Sequence, residues 1–569
     1  MKPKVTSILD GLLGKGALVA ALVVFIASFV VRLLLDLLFQ LRFGWHAVNS
    51  VETWFYVGVM EGTKLPAYKL ADPTVWILRA VGALLPYGAS LYGVLLTSAA
   101  LSALTAALLY FLVRELYDQR TGFAAGIVYG GMVEPLAISL VGFTHDHLQL
   151  ALVVASLVLT VKAFKSGCRG AILCAAAYAA LIYHALYINE SIKVAVGVAA
   201  VYVGYRLLEH MSPKIWRTHS KDSAYKVFLL LLAIGMLTVG QFMVPSLVEG
   251  ALKGLPQGRM GSGDVLPTNL LNIWLRCNIL IFLMPFAAVA AYKRKDTIGI
   301  TLTVVGLLIA SVMDRGTRIS DIGVAILVAY AIADWGAWKN KAKFKATLAF
   351  SISVFALMLI LTTTRLVYAA VFLTGGSVLL YLLWAGKKQD KMLPLLVTVL
   401  LVGAAVNAAY TYSVDADRIV TEAEYSLLKW LGGNNKGGTI LTAWDRGYMA
   451  EVVSGLKAVS TPNKINTGIH NLLWMPSGES SAKLSQEGVK YIMIRAADPS
   501  ETKDVTGLTQ SSRGLILRPE GIPVGTIVND MASYKITRGQ EDEHLKIIRT
   551  ETDATTGEGF ILYEISGGA

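Results

Sequence analysis

Windows of about 20 consecutive apolar residues, the length a helix needs to cross roughly 30 Å of hydrocarbon, recur along the first 410 residues of this chain. About thirteen can be drawn, over 17–39, 88–112, 121–141, 148–165, 172–188, 192–208, 226–248, 271–292, 297–313, 319–336, 345–362, 366–385 and 392–410. Of the 569 residues, 55% are hydrophobic and 16% charged, and the apolar ones concentrate before residue 411 rather than spreading evenly. The expectation is a polytopic α-helical membrane protein, with a transmembrane domain over 1–410 and a soluble domain over 411–569.

The formal charge of +12 does not point to nucleic acid, because of where it lies. Between alternate windows come Arg114 and Arg120, then Lys162, Lys165 and Arg169, then Arg206, Lys214, Arg217, Lys221 and Lys226, then Lys293, Arg294 and Lys295, then Lys339, Lys341, Lys343 and Lys345, then Lys387, Lys388 and Lys391. Short loops rich in Lys and Arg stay cytoplasmic, and Lys2, Lys4 and Lys15 put the N-terminus on that side. Thirteen crossings from a cytoplasmic start carry 411–569 outside. The first window is too long for a cleaved signal peptide, and no small-residue cleavage pattern follows it. Cys168, Cys174 and Cys277 all fall in or beside windows, so the exported region has neither a disulfide framework nor a thiolate metal site.

That region reads as a small α/β domain. "KYIMIRA", "KIIRTE" and "GFILYEI" are short β-rich runs, "TETDATTGEG" reads as a turn or hairpin, and "LGGNNKGG" (431–438) as a flexible connection. A strand "TIL" (439–441) leads toward a helix containing "YMAEVV", with "AWDRG" between them.

The remaining loops hold the acids and histidines. "NSVETWFYVGVMEG" (49–62) carries Glu52, "GFTHDH" (142–147) carries His145, Asp146 and His147, "GLPQGRMGSGDVLP" (254–267) carries Asp264, and "MDRGTRISD" (313–321) carries Arg315 and Arg318. All are expected on the outer side. Carboxylates with imidazoles suit a hard divalent cation, Mn²⁺ or Mg²⁺, and arginine forks suit phosphate. Adjacent side chains cannot all reach one ion, so two of the three in "HDH" are expected to bind. Each position also has a plainer reading: a solvated Glu52, a turn at Asp264, snorkelling arginines at 315 and 318. Arg32 and Asp36, four apart on the first window, read as an internal pair.

"AWDRGY" (443–448), followed by "VVSGLKAVSTPN", resembles the signature region of the oligosaccharyltransferase catalytic subunit, whose pattern is W-W-D-Y-G, in an archaeal-type form. The resemblance implies a GT-C glycosyltransferase fold of about thirteen helices with one extracytoplasmic C-terminal domain. It implies that Glu52 and Asp264 are catalytic carboxylates holding the acceptor amide, and that Glu52 with His145, Asp146 or His147 binds the metal. Arg318, with Arg315 nearby, would face the lipid phosphate, and Trp444 and Asp445 the acceptor peptide. The implied reaction transfers an oligosaccharide from a polyprenyl or dolichyl (di)phosphate to asparagine, inverting the anomeric carbon. Ala443 and Arg446 depart from the pattern, and no lysine motif follows it. Those departures favour an alternative, another GT-C enzyme acting on lipid or glycan. A transporter is the third reading, although neither inverted repeats nor a mid-helix acid cluster is visible.

Overall fold

The computed structural model describes residues 16–48, 53–62, 73–132, 316–334, 366–385, 392–413, 420–442, 446–461, 477–496, 544–554 and 559–566, apart from isolated positions, with parts of 147–161, 280–306, 345–352 and 466–472. Helix α1 (Ala17–Phe43) is followed by two short helices, α2 (Thr53–Glu61) and α3 (Pro73–Gly82), and then by α4 (Ser90–Leu116) and α5 (Gln119–Gly130). Further along lie α6 (Met284–Arg294), α7 (Gly316–Ala333), α8 (Leu366–Ala385) and α9 (Met392–Ser413). All except α2 and α3 fall on expected windows. Among the described residues two helices are long and apolar enough to cross a membrane, Ala17–Leu41 and Ser90–Leu116. The windows 172–188, 192–208 and 226–248 lie outside the described residues, so the count of thirteen is not reached here.

Small residues set the spacing between these helices. Ala20, Ala21 and Val24 of α1 meet Ala106, Leu109 and Tyr110 of α4 and Ala124, Ala125 and Val128 of α5 in one buried cluster. A Cβ on Gly126 would come within 2.7 Å of Val24 Cγ1 and 3.0 Å of the Ala106 carbonyl. Lipid is as apolar as leucine, so such close packing, rather than exclusion of water, holds membrane helices together. Asp118 starts α5 by accepting the Thr121 N–H at 2.8 Å, turning the chain sharply after α4.

The C-terminal part comprises α10 (Glu422–Asn434), β1 (Thr439–Leu441), α11 (Gly447–Ser454), β2 (Lys457–Ala458), α12 (Ser477–Gln486), β3 (Val489–Ala496), β4 (Leu545–Thr552) and β5 (Gly559–Ile565). The sheet order is β2-β1-β3-β5-β4. β1 pairs parallel with β2 and β3, while β5 pairs antiparallel with β3 and β4. The expected strands are all present, and the hairpin across 553–558 closes with Thr552 opposite Gly559. One expectation is corrected. Leu431–Asn434 of "LGGNNKGG" is the last turn of α10, and Asn435 Nδ2 donates to the carbonyls of Gly432 (3.0 Å) and Ser454 (3.2 Å), fastening that end to α11.

The orientation is open to a direct check. A cysteine at Ser480 is expected to react with a membrane-impermeant maleimide in intact cells, and one at Asn340 to stay unlabelled. Labelling at Asn340 alone reverses the orientation.

Candidate functional site

The first loop is the place where the two parts of the chain meet. Most of it was expected to be an exposed loop, yet Thr53–Glu61 is a helix with Thr53 through Val59 buried. Its aromatic run explains this: Trp54, Phe55 and Tyr56, which cannot all face lipid or water from a nine-residue helix, pack instead into a cluster shared with α4, α10, α11 and the sheet. Tyr425 of α10 lies between two tryptophans, its ring 4.8 Å from that of Trp45 and 5.7 Å from that of Trp54. Phe55 meets Tyr448 of α11 at 5.3 Å, and the Val420 N–H donates to the Val48 carbonyl at 2.8 Å. The segments on either side of Glu52 therefore pack directly on the helices on either side of the "AWDRG" stretch.

Two residues of that stretch are described, and both have structural work. Arg446 Nε donates to Glu424 Oε1 at 2.8 Å, with both side chains 3% exposed. Gly447 allows the chain to pass Ser460, since an added Cβ would sit 1.9 Å from the Ser460 carbonyl oxygen. Arg446, read from sequence as a departure from the signature, is thus a buried ion pair. Its partner lies 22 residues upstream and was not legible as one.

A polar stripe runs along α1 at four-residue spacing: Ser28, Arg32, Asp36 and Gln40. Arg32 donates to the Ser28 carbonyl (2.8 Å), to Ser102 Oγ on α4 (2.7 Å) and to the Gly130 carbonyl at the end of α5 (3.4 Å). Asp36 accepts from Gln40 Nε2 at 2.8 Å and stands 3.1 Å from His46 Nδ1. The expected internal pairing of Arg32 with Asp36 is thereby replaced by separate partner sets, although both residues line one cavity of about 110 Å³ with Tyr92, Leu95 and Leu96. His46 rests edge-on against Tyr92 at 4.6 Å, so the chain leaving the membrane is fixed before it enters α2. The stripe was readable in the sequence as an i, i+4 pattern; the role of His46 was not.

Of the expected metal ligands, His147 is described. It is 2% exposed, and its Nε2 lies 3.0 Å from Ser98 Oγ on α4. Ser98 and Ser102 stand four apart, so α4 holds His147 and Arg32 on one face. Glu52, His145, Asp146, Asp264, Arg315, Trp444 and Asp445 lie outside the described residues; Arg318 falls in the first turn of α7, where only the backbone is described. Among the described residues no three His, Cys, Asp or Glu side chains gather at one point. Glu61, at the end of α2, has its carboxyl pushed up by burial, against which a hydrogen bond with Ser90 acts. The Tyr425 hydroxyl is pushed up in turn, first by burial and then by the charge of Glu61.

Comparison with known proteins decides what this arrangement belongs to. Residues 73–239 match the family described as dolichyl-phosphate-mannose-protein mannosyltransferase. The oligosaccharyltransferase of Archaeoglobus fulgidus in the apo form superposes with a TM-score of 0.53 at 13% identity, over 84% of this chain and 70% of that one. The fold is that of the GT-C glycosyltransferases. AglB of the same organism, in complex with an inhibitory peptide and a dolichol-phosphate, gives 0.51 at 14% identity over 83% and 69%. ArnT from Cupriavidus metallidurans, bound to undecaprenyl phosphate, gives 0.52 at 12% identity over 95% and 97%. No curated protein matches by sequence. The likeness to oligosaccharyltransferases read from the motifs thus recurs in the fold, and among the described residues two helices, α1 and α4, are long and apolar enough to cross a membrane.

Proposed function

We propose that this protein transfers a sugar from a polyprenyl or dolichyl phosphate or diphosphate to an acceptor at the outer membrane face, the acceptor being the side-chain amide of asparagine in a polypeptide. The observation that carries the reading is the packing of α2, which begins one residue after Glu52, against α11, which begins two residues after Asp445. A carboxylate at a helix mouth and a peptide-reading stretch above it are what a lipid donor and a polypeptide acceptor need in order to meet.

An amide nitrogen is a poor nucleophile because its lone pair is delocalised into the carbonyl. Glu52 and Asp264 would accept the amide hydrogens and weaken that delocalisation. Arg318, with Arg315, would hold the phosphoryl oxygens as they leave with growing negative charge. Attack from the far face of the sugar inverts the anomeric carbon. Trp444 and Asp445 would contact the residue two beyond the asparagine. The indole N–H groups of Trp45 and Trp54 are buried without an acceptor; a donor so placed costs about 1–3 kcal/mol until an oxygen meets it.

The donor set fits a hard divalent cation. In the tautomer whose Nε2–H donates to Ser98 Oγ, 3.0 Å away, His147 would present Nδ1 to the cation, the kind of orientation second-shell hydrogen bonds give metal-bound histidines. Glu52, His147 and one of His145 or Asp146 would hold Mn²⁺ or Mg²⁺, which supplies neutralisation of charge beside the leaving phosphate.

The test is incubation of the purified protein with a lipid-linked oligosaccharide extract and a fluorescent Asn-X-Thr peptide, with and without EDTA. Glycopeptide should form, disappear with EDTA and return with Mn²⁺ or Mg²⁺. Ser98→Ala should raise the Mn²⁺ concentration for half-maximal turnover by about ten-fold or more, and His147→Ala by more still. An unchanged metal requirement in both removes this loop from the site. One observation favours a second reading, a GT-C enzyme acting on lipid or glycan: the chain spans 97% of the ArnT structure but 70% of the oligosaccharyltransferase. Sugar transfer to a lipid acceptor, with none to peptide, would select it.

A further inference from the structure

The buried pair Arg446–Glu424 joins the stretch that follows Trp444 and Asp445 to the loop that carries Glu52. Glu424 sits in the first turn of α10, where Thr421 Oγ1 accepts its N–H at 3.2 Å. The next residue, Tyr425, is the ring held between Trp45 and Trp54, on either side of Glu52 in sequence. Arg446 is the residue before α11, whose Tyr448 meets Phe55. Two routes therefore run from the "AWDRG" stretch to the first loop. One passes through Tyr448 to Phe55, and the other through Arg446, Glu424 and Tyr425 to the tryptophans.

We propose that Arg446 is a positioning residue that, through Glu424, locks the acceptor-reading stretch in register with the Glu52 loop and so sets acceptor affinity. The assignment rests on the proposed transfer to a polypeptide. A guanidinium suits the task better than an apolar side chain would, because a charged hydrogen bond is directional, whereas an apolar contact can slide. It also gives the Arg at this signature position a function. The ion pair supplies a fixed point at the residue that follows Asp445 in sequence.

The full-length protein in detergent tests this in two ways. Hydrogen exchange reads the coupling without reference to any reaction. Arg446→Met, and the milder Glu424→Gln, which keeps the accepting oxygen but removes the charge, should speed amide exchange across 53–61 as well as across 447–454. Faster exchange confined to 447–454 overturns the coupling, and Glu424→Gln answers the question if Arg446→Met does not fold. Kinetics reads the consequence: the KM for the Asn-X-Thr peptide should rise about ten-fold or more in Arg446→Met, with acceptor-independent hydrolysis of the lipid-linked sugar falling far less than transfer. The exchanged pair Arg446→Glu with Glu424→Arg should recover part of the loss. Transfer and hydrolysis falling in parallel would show a merely structural role and overturn the assignment. No glycopeptide from the unsubstituted protein would sink the polypeptide reading instead, leaving the exchange result to decide the coupling.

Discussion

Replacement of Gly447 by alanine is expected to lower the midpoint at which the C-terminal part of the protein, 420–566, unfolds by about 10 °C, because it asks for ~3 kcal/mol of rearrangement. The new Cβ would stand 1.9 Å from the Ser460 carbonyl oxygen and 2.9 Å from the Thr461 Cα. Both are backbone atoms, so no side chain can swing away. Relief requires α11 to separate from the segment that follows β2, and α11 carries Tyr448, Met449 and Ala450 in the cluster that also holds Trp54 and Phe55 of α2. The damage should therefore reach the first loop. Gly433→Ala is the control, since its added Cβ meets nothing within 4 Å and a helical Gly-to-Ala change is favourable by up to about 1 kcal/mol. Equal midpoints for the two variants would show that the close approach at Gly447 costs nothing and that the Gly of "AWDRG" is there for another reason.

The largest effect on turnover is expected from Glu52→Gln. The substitution is nearly isosteric and replaces an acceptor-only carboxylate with an amide that presents donors to the incoming N–H groups. Loss of one group aimed at charge that develops in the reaction typically costs ~10²- to 10³-fold in kcat, and that is the range expected here, with the thermal midpoint unchanged. Glu61→Gln provides the contrast. Burial pushes its carboxyl up, and the hydrogen bond with Ser90 at the start of α4 can equally be accepted by the amide oxygen of Gln, so turnover should stay within a few-fold of the unsubstituted protein. If both variants behave alike, the separate role given to Glu52 is wrong.

Some of this was legible because it depends on spacing along the chain. Apolar windows of membrane length announced α1, α4, α8 and α9, since a helix in lipid must be long and satisfy its own backbone. Short β-rich runs announced β3, β4 and β5 for the same kind of reason, a local pattern with a local cause. The "AWDRG" stretch could be recognised, but the duties of Arg446 and Gly447 could not. One depends on Glu424 in another helix and the other on a carbonyl thirteen residues ahead, at Ser460. The first loop was misjudged as exposed because nothing in "ETWFYVGVMEG" says that α10, α11 and the sheet will pack against it.

The sequence by itself determined a helical membrane protein with a small α/β domain at its end, and which residue types were available for metal, phosphate and amide. Tertiary structure decided which of them meet: Arg32 with Ser102, His147 with Ser98, Asp36 with His46, and Tyr425 between Trp45 and Trp54. The reason is one of range. Helix and strand periodicities arise from backbone geometry within a few residues, whereas a hydrogen bond or a ring contact across the fold is fixed by packing among segments whose separation in sequence carries no information about their distance in space.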